Sequence, residues 1–222
     1  MLLWHAFKTW PRVLLSLLFP EKENIALARH VGATGDLSAF EKIPLLGKVP
    51  LPDTYALFPY WEPLVRDTIW LFKYRGEQRA AALFAPLLYR HLIVPLLTHN
   101  NSGEKPILIP MPLSRERLRE RGFNQAEVLA EEIEGVSNGG VLAARGILVR
   151  NKKTEHQARL KKKTDRNKNV ENSFEINPPA RLAGKYIFLI DDIVTTGATS
   201  GEARRVLLRA GAEKVIVIAI AH

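Results

Sequence analysis

The sequence predicts an α/β fold: a parallel sheet flanked by helices, preceded by a small N-terminal extension. Two C-terminal stretches carry this expectation. The runs Tyr186-Ile187-Phe188-Leu189-Ile190 and Val215-Ile216-Val217-Ile218-Ala219-Ile220 are apolar without alternation, as strands covered on both faces are. Between them Ala203, Val206, Leu207 and Ala210 recur at helical spacing, with Gly211 placed to end the helix. Strand, helix and strand in this order make a right-handed βαβ unit.

The earlier elements are read in the same way. Residues 1–55 form an N-terminal region with little periodic pattern after residue 20, punctuated by Gly32, Gly35, Pro44, Gly47, Pro50 and Pro52; residues 56–222 form the main domain. Pro63 suits a first helical turn, Leu64, Thr68, Leu71 and Phe72 share a face, and Gly76 closes that helix. A second apolar helix spans about 80–97, bent at Pro86 and ending near Pro95. Ile107-Leu108-Ile109 is a buried strand that runs into the loop Pro110-Met111-Pro112. Asn124 caps a helix with Val128, Leu129 and Ile133 on its inner stripe, ending at Gly135, and Ile147-Leu148-Val149 is a further strand.

Composition narrows the chemistry. At 222 residues, 46% hydrophobic and 25% charged, the chain suits one folded α/β domain with a short extension. It has no cysteine, which excludes disulfides, thiolate nucleophiles and Cys-based zinc sites, and its six histidines are too dispersed to hold zinc instead. No zinc is expected. The apolar stretch Met1–Phe19 is interrupted by His5, Lys8, Pro11 and Arg12, so it reads as an amphipathic docking segment, without signal-peptide or transmembrane character, in a cytoplasmic protein. The net charge of +9 is concentrated: Arg150 to Lys168 holds nine basic residues against two acidic ones, a net +7. A segment of that density is a solvated loop, a lid over a small polyphosphate, or a nucleic-acid face.

The turn after the first C-terminal strand carries the clearest chemistry. Asp191 and Asp192 stand at the strand's carboxyl end, the edge where parallel sheets bind ligands. They are expected to project to opposite sides, to be exposed, and to contribute little to stability. Thr195, Thr196, Thr199 and Ser200 supply hydroxyls, and Gly197 lets backbone approach a phosphate without a Cβ in the way. Carboxylates accept from vicinal sugar hydroxyls and approach a phosphate-bound Mg²⁺. Neither G-x-x-x-x-G-K-[ST] nor G-x-G-x-x-G occurs, so a P-loop NTPase or a Rossmann dehydrogenase has no support.

Ile190-Asp191-Asp192-Ile193-Val194-Thr195-Thr196-Gly197-Ala198-Thr199-Ser200 resembles the phosphoribosyl pyrophosphate (PRPP) motif of type I phosphoribosyltransferases. Three further stretches narrow the resemblance to the ComF family: Phe72-Lys73-Tyr74-Arg75-Gly76; Ile109-Pro110-Met111-Pro112-Leu113-Ser114 with Arg121-Gly122-Phe123-Asn124-Gln125-Ala126; and Thr154, Gln157, Arg166, Asn169 and Phe174. The blocks run from about residue 60 to 222 in the family's order. The resemblance implies a type I phosphoribosyltransferase-like fold and a site for PRPP with Mg²⁺. In it Asp191 and Asp192 hold the ribose hydroxyls, with Mg²⁺ nearby, and Thr195, Thr196, Gly197, Ala198, Thr199 and Ser200 hold the 5-phosphate. Met111, Pro112, Leu113, Ser114 and Arg115 form the pyrophosphate loop. Lys152, Lys153, Thr154, Gln157 and Arg166 lie in a mobile loop that closes over the ligand. Many ComF-like proteins carry a cysteine zinc ribbon after a Leu-Phe-Pro segment; here Leu18-Phe19-Pro20 is present and the cysteines are not.

The resemblance implies one of two functions. One is a phosphoribosyltransferase, a glycosyltransferase acting on an unidentified acceptor. The other is a non-catalytic PRPP-binding accessory protein of competence and DNA uptake, which meets other uptake proteins and binds single-stranded DNA through Lys152, Lys153, Lys161, Lys162 and Lys163. Arg115, Arg117, Arg119 and Arg121 alternate with Glu116 and Glu120, either as a self-paired solvated face or as part of the site. Trp4, Trp10, Trp61 and Trp70 are packing anchors or stacking platforms.

Overall fold

The computed structural model describes residues 23–100, 103–151, 172–177 and 181–222. Six strands form the main sheet: β1 (Gly47–Lys48), β2 (Thr54–Phe58), β3 (Ile107–Pro110), β4 (Leu142–Ala143), β7 (Tyr186–Ile193) and β8 (Lys214–Ala221). Across the sheet they lie in the order β1-β2-β8-β7-β3-β4. All neighbours run parallel except β1 against β2. The parallel α/β sheet flanked by helices is the architecture expected. A separate antiparallel pair, β5 (Leu148–Arg150) with β6 (Phe174–Ile176), stands apart from it.

The two central strands show why their sequences do not alternate. In β8, Ile216, Ile218 and Ile220 enter the core on one face, while Val215, Val217 and Ala219 enter the core on the other. Tyr186, Phe188 and Ile190 of β7 join the first core, and Ile187 and Leu189 join the second. The first core is closed by α1 (Glu23–Thr34), α2 (Ser38–Glu41), α3 (Pro63–Tyr74), α4 (Arg79–Leu88), α5 (Val94–Leu97) and α7 (Gln125–Val136), and α6 (Arg115–Arg121) lies outside it. Phe40, Phe58 and Phe84 meet there, with centroids 5.4–6.4 Å apart. The second core is closed by α8 (Ala198–Arg209) together with Met111 and the β5–β6 pair.

The structure departs from expectation in three elements. Residues 23–55 are more organised than their weak periodicity suggests. They contribute α1, α2, β1 and the start of β2, and bury Val31, Phe40 and Ile43 in a core built largely from later parts of the chain. A boundary at residue 55 therefore runs through β2. The helix from Arg79 does not end near Pro95: it passes through a π turn at Tyr89–Ile93 into α5, with the Val94 N–H bonded to the Tyr89 carbonyl, and Pro95, which has no N–H, follows. The helix after Asn124 continues through Gly135 to Val136, and the left-handed residue beyond it is Asn138 (φ 48°).

The span Arg79–Leu97 is long and apolar enough to cross a membrane by length and composition, the one such helix among the described residues. Leu83, Phe84, Ala85, Leu88, Leu92 and Ile93 spend its apolar side on the first core.

Candidate functional site

The site lies where β7 and β3 end side by side. The registers Pro110↔Ile190 and Asp191↔Ala219 bring the acid pair and the loop after β3 to the same carboxyl edge. The Met111 N–H extends the ladder by one bond, donating to the Ile190 carbonyl at 2.8 Å. Strand β7 does not stop at its carboxylates: both are part of it, and it ends at Ile193.

Alternation sends the two acids to opposite faces, as expected, and gives them different chemistry. Asp192 is buried, not exposed. Its Oδ2 is 3.1 Å from Lys73 Nζ on α3 and 3.9 Å from Arg121 at the end of α6. The expectation that the pair contributes little to stability is therefore corrected, because removing Asp192 would leave a largely buried ammonium and a buried guanidinium without their carboxylate. Asp191 accepts from the Asp192 N–H at 2.8 Å. Its recessed position first, and the Asp192 charge second, raise its pKa to about 7; the Asp192 N–H and the charges of Lys73 and Arg150 act in the opposite direction.

Beyond the acids, the chain turns at Gly197, whose φ of 75° is left-handed, and enters α8 with no side-chain cap. The first-turn N–H groups of this twelve-residue helix therefore face the same edge as the carboxylates. Thr195 and Thr196 are exposed and Thr199 is partly so. Ser200 differs from expectation: its side chain is buried and donates to the Gly197 carbonyl at 3.2 Å, so its hydroxyl tightens the turn and only its backbone is available. A Cβ on Gly197 would stand 3.0 Å from Leu51, which reaches over the turn from the β1–β2 connection.

The loop after β3 is pinned at its carbonyls. Asn124 caps α7, accepting from the Ala126 N–H at 3.1 Å, and its amide donates to the Met111 carbonyl at 3.1 Å. Arg150 donates from Nε to the Pro112 carbonyl at 3.2 Å and lies over the Phe174 ring at 4.8 Å. Met111 itself is buried in the second core, so the part of the loop able to meet a ligand begins at Pro112. Ser114 accepts from the Arg117 N–H and caps α6, which buries none of its residues, so Arg115, Arg117 and Arg119 are exposed.

Lys152, Lys153, Thr154, Gln157, Lys161, Lys162, Lys163 and Arg166 lie outside the described residues. Their flanks are described: the Asn151 N–H donates to the Ser173 carbonyl at 2.9 Å, and the Asn172 N–H donates to Glu202 on α8 at 2.8 Å. The roles of Lys73 and Arg150 in holding the site are not legible in the sequence. Lys73 stands in a block shared with the family that implies no task for it, and Arg150 is only one charge in a basic run.

Among the described residues no group of three or more His, Asp or Glu side chains is placed to hold a metal ion. Asp192 already faces two cations, which leaves Asp191 as the carboxylate best able to approach one. Such a donor set suits Mg²⁺ arriving on a ligand's phosphates, an ion that normally keeps few protein ligands.

The fold and site together define an α/β protein whose central strand carries two carboxylates near its carboxyl end, beside a helix N-terminus. Competence protein F of Haemophilus influenzae is 31% identical over 164 residues, covering 73% of this chain and 69% of that protein. Competence protein ComFC of Bacillus subtilis is 33% identical over 151 residues, and the match spans only 56% of its length and 68% of this chain. DNA utilization protein YhgH of Escherichia coli K12 is 32% identical over half of this chain. The chain belongs to the ComF family. No protein-family model matches it. Among solved structures, a hypoxanthine phosphoribosyltransferase from Trypanosoma cruzi (TM-score 0.43, 8% identity, 64% of each chain) and a phosphoribosylpyrophosphate synthetase from Mycobacterium smegmatis (TM-score 0.35, 18% identity, 64% of this chain and 33% of that one) are similar, too distantly to place any residue.

Proposed function

We propose that this protein binds PRPP together with Mg²⁺ at the carboxyl edge of β7 and β3, and transfers the phosphoribosyl group to an acceptor. The observation that carries the reading is the succession of acid pair, Gly197 turn and uncapped α8 N-terminus on one strand-to-helix connection. Asp191 accepts from the ribose hydroxyls, and Asp192, fixed by Lys73 and Arg121, sets the local charge. The α8 N-terminus with Thr195, Thr196 and Thr199 takes the 5-phosphate, as helix N-termini take anions. Pro112 to Arg115 takes the pyrophosphate, with Arg150 holding the loop in place. Mg²⁺, bound to the diphosphate and close to Asp191, would offset charge that the protein alone does not neutralise. As the anomeric bond breaks, charge grows on the departing pyrophosphate, and cations arranged beforehand around this loop are what stabilise it.

Calorimetric titration with PRPP in Mg²⁺ and in EDTA tests the reading. Metal-dependent binding that Asp191→Asn removes supports it, and equal affinity in EDTA, or no binding, overturns it. Zinc is proposed to have no part; one equivalent by elemental analysis would refute that. A cytoplasmic location is proposed with it.

A second reading, favoured by the names of the relatives and by the +7 segment from Arg150 to Lys168, is a PRPP-binding accessory protein that handles single-stranded DNA without turnover. Release of labelled pyrophosphate from PRPP, measured with and without single-stranded DNA, separates the two.

A further inference from the structure

Helix α3 uses Leu64, Val65, Ile69, Leu71 and Phe72 for the core and leaves two large aromatic rings outside it. Trp70 is 40% exposed and Tyr74 is 50% exposed; they stand four residues apart on one face, with centroids 6.2 Å apart. Each ring carries a guanidinium. Arg75 lies 5.4 Å from the Trp70 centroid and Arg121 lies 5.3 Å from that of Tyr74. The row is continuous with the acid pair, because the same Arg121 is 3.9 Å from Asp192.

Where the row meets the acids, hydrogen-bond donors lack partners. Gln125 is 1% exposed; its carbonyl accepts from Arg121 at 2.9 Å, yet among the described residues its Nε2 has no acceptor, nor does Nε of Arg121. Buried donors left unpaired are costly and rare. On the flank of the row stands α6, fully outside the core, with Arg115, Arg117, Arg119 and Arg121 against Glu116 and Glu120.

We infer that Trp70, Tyr74, Arg75 and Arg121 form a stacking subsite for a nucleobase that carries phosphate. A simple anion has no use for two exposed rings, and a neutral apolar ligand has no use for their guanidiniums. A flat ring bearing negative charge uses the rings and the cationic flank together. The inference deepens the PRPP reading, and rests on it in one respect: an acceptor stacked here would lie beside the carboxylates proposed to hold the ribose. A free mononucleotide and a single strand share this chemistry.

The test uses the full chain and two probes, AMP by calorimetry and a fluorescent thymidine oligonucleotide of about ten residues by anisotropy, a length within the site sizes of single-strand binders. Trp70→Ala with Tyr74→Ala should weaken binding roughly tenfold or more, and Trp70→Phe with Tyr74→Phe should stay within about threefold of the parent, because stacking needs only a π face. Loss with AMP marks an acceptor subsite and loss with the oligonucleotide alone marks a strand-binding face; either supports the inference. Unchanged affinity for both probes in the alanine pair, or no binding of either by the parent, overturns it. Parallel PRPP titrations keep the readings apart: a parent that binds nucleotide and not PRPP sinks the acid-pair reading and leaves the stacking face standing.

Discussion

Asp191 and Asp192 share a strand end, yet alternation along β7 gives one a buried ion pair and leaves the other raised in pKa. The folded pKa of Asp191, about 7, exceeds its unfolded value, so the native state binds the extra proton, and stability falls as pH rises from about 4 through 7. Asp191→Asn should therefore raise the melting temperature, with a larger gain at pH 8 than at pH 5. A gain that is absent or larger at pH 5 would contradict the assignment. PRPP affinity should rise over the same interval, because ribose hydroxyls are better met by a carboxylate than by an acid.

At Asp192 the same substitution is expected to destabilise the fold. Asp192→Asn should cost about 2–3 kcal/mol, somewhat below the range typical of a broken buried pair, because the Lys73 side chain keeps 15% of its surface in water. Urea unfolding measures it, and replacing both partners, Lys73→Met with Asp192→Leu, should recover much of the loss. The acid pair is legible in the sequence because two adjacent carboxylates closing an apolar run, followed by four hydroxyls and a glycine, exceed what capping a helix requires. Lys73 is not, since α3 lies more than a hundred residues earlier and only the fold brings them together.

At the scale of elements, the turn into α8 is the most constrained connection. Gly197→Ala would place a Cβ at φ 75° and 3.0 Å from Leu51, so it should lower stability by about 1–2 kcal/mol and weaken PRPP binding by narrowing the phosphate turn. Adding Leu51→Ala should relieve the contact and leave the dihedral strain, giving partial recovery in thermal unfolding; full recovery would show that backbone strain contributes nothing. The elements that sequence alone locates, β7, α8, β8, β3 and α3, have runs or stripes long enough to show a period. Of the missed ones, α2, β1, β4 and the π turn span two to five residues, too few for periodicity to register, while α1 is long enough but, among its described side chains, buries only Val31 and so shows no apolar stripe. Strand β2 escapes for another reason: it lies in a stretch broken by Pro50, Pro52 and Pro59 and owes its place to β8.

For the whole molecule, charge is the property most open to test. If the segment from Lys152 to Lys163 engages single-stranded DNA, affinity should fall with salt at a log–log slope of roughly −3, corresponding to four or five phosphates. Replacing Lys161, Lys162 and Lys163 with Gln should flatten that slope. An unchanged slope would remove this segment from the interface and leave the α3–α6 face as the stronger candidate.

The place of β8 in the sheet has a consequence for how the protein folds. It lies between β2 and β7, and the backbone N–H of Tyr60, just after β2, donates to the His222 carbonyl just beyond β8. Without β8, β2 with β1 and β7 with β3 have no common neighbour, and each presents an unpaired strand edge. A folding chain in which β8 has not yet docked therefore holds two incomplete half-sheets, and a substitution that keeps β8 from docking takes away the middle of the sheet, not its margin.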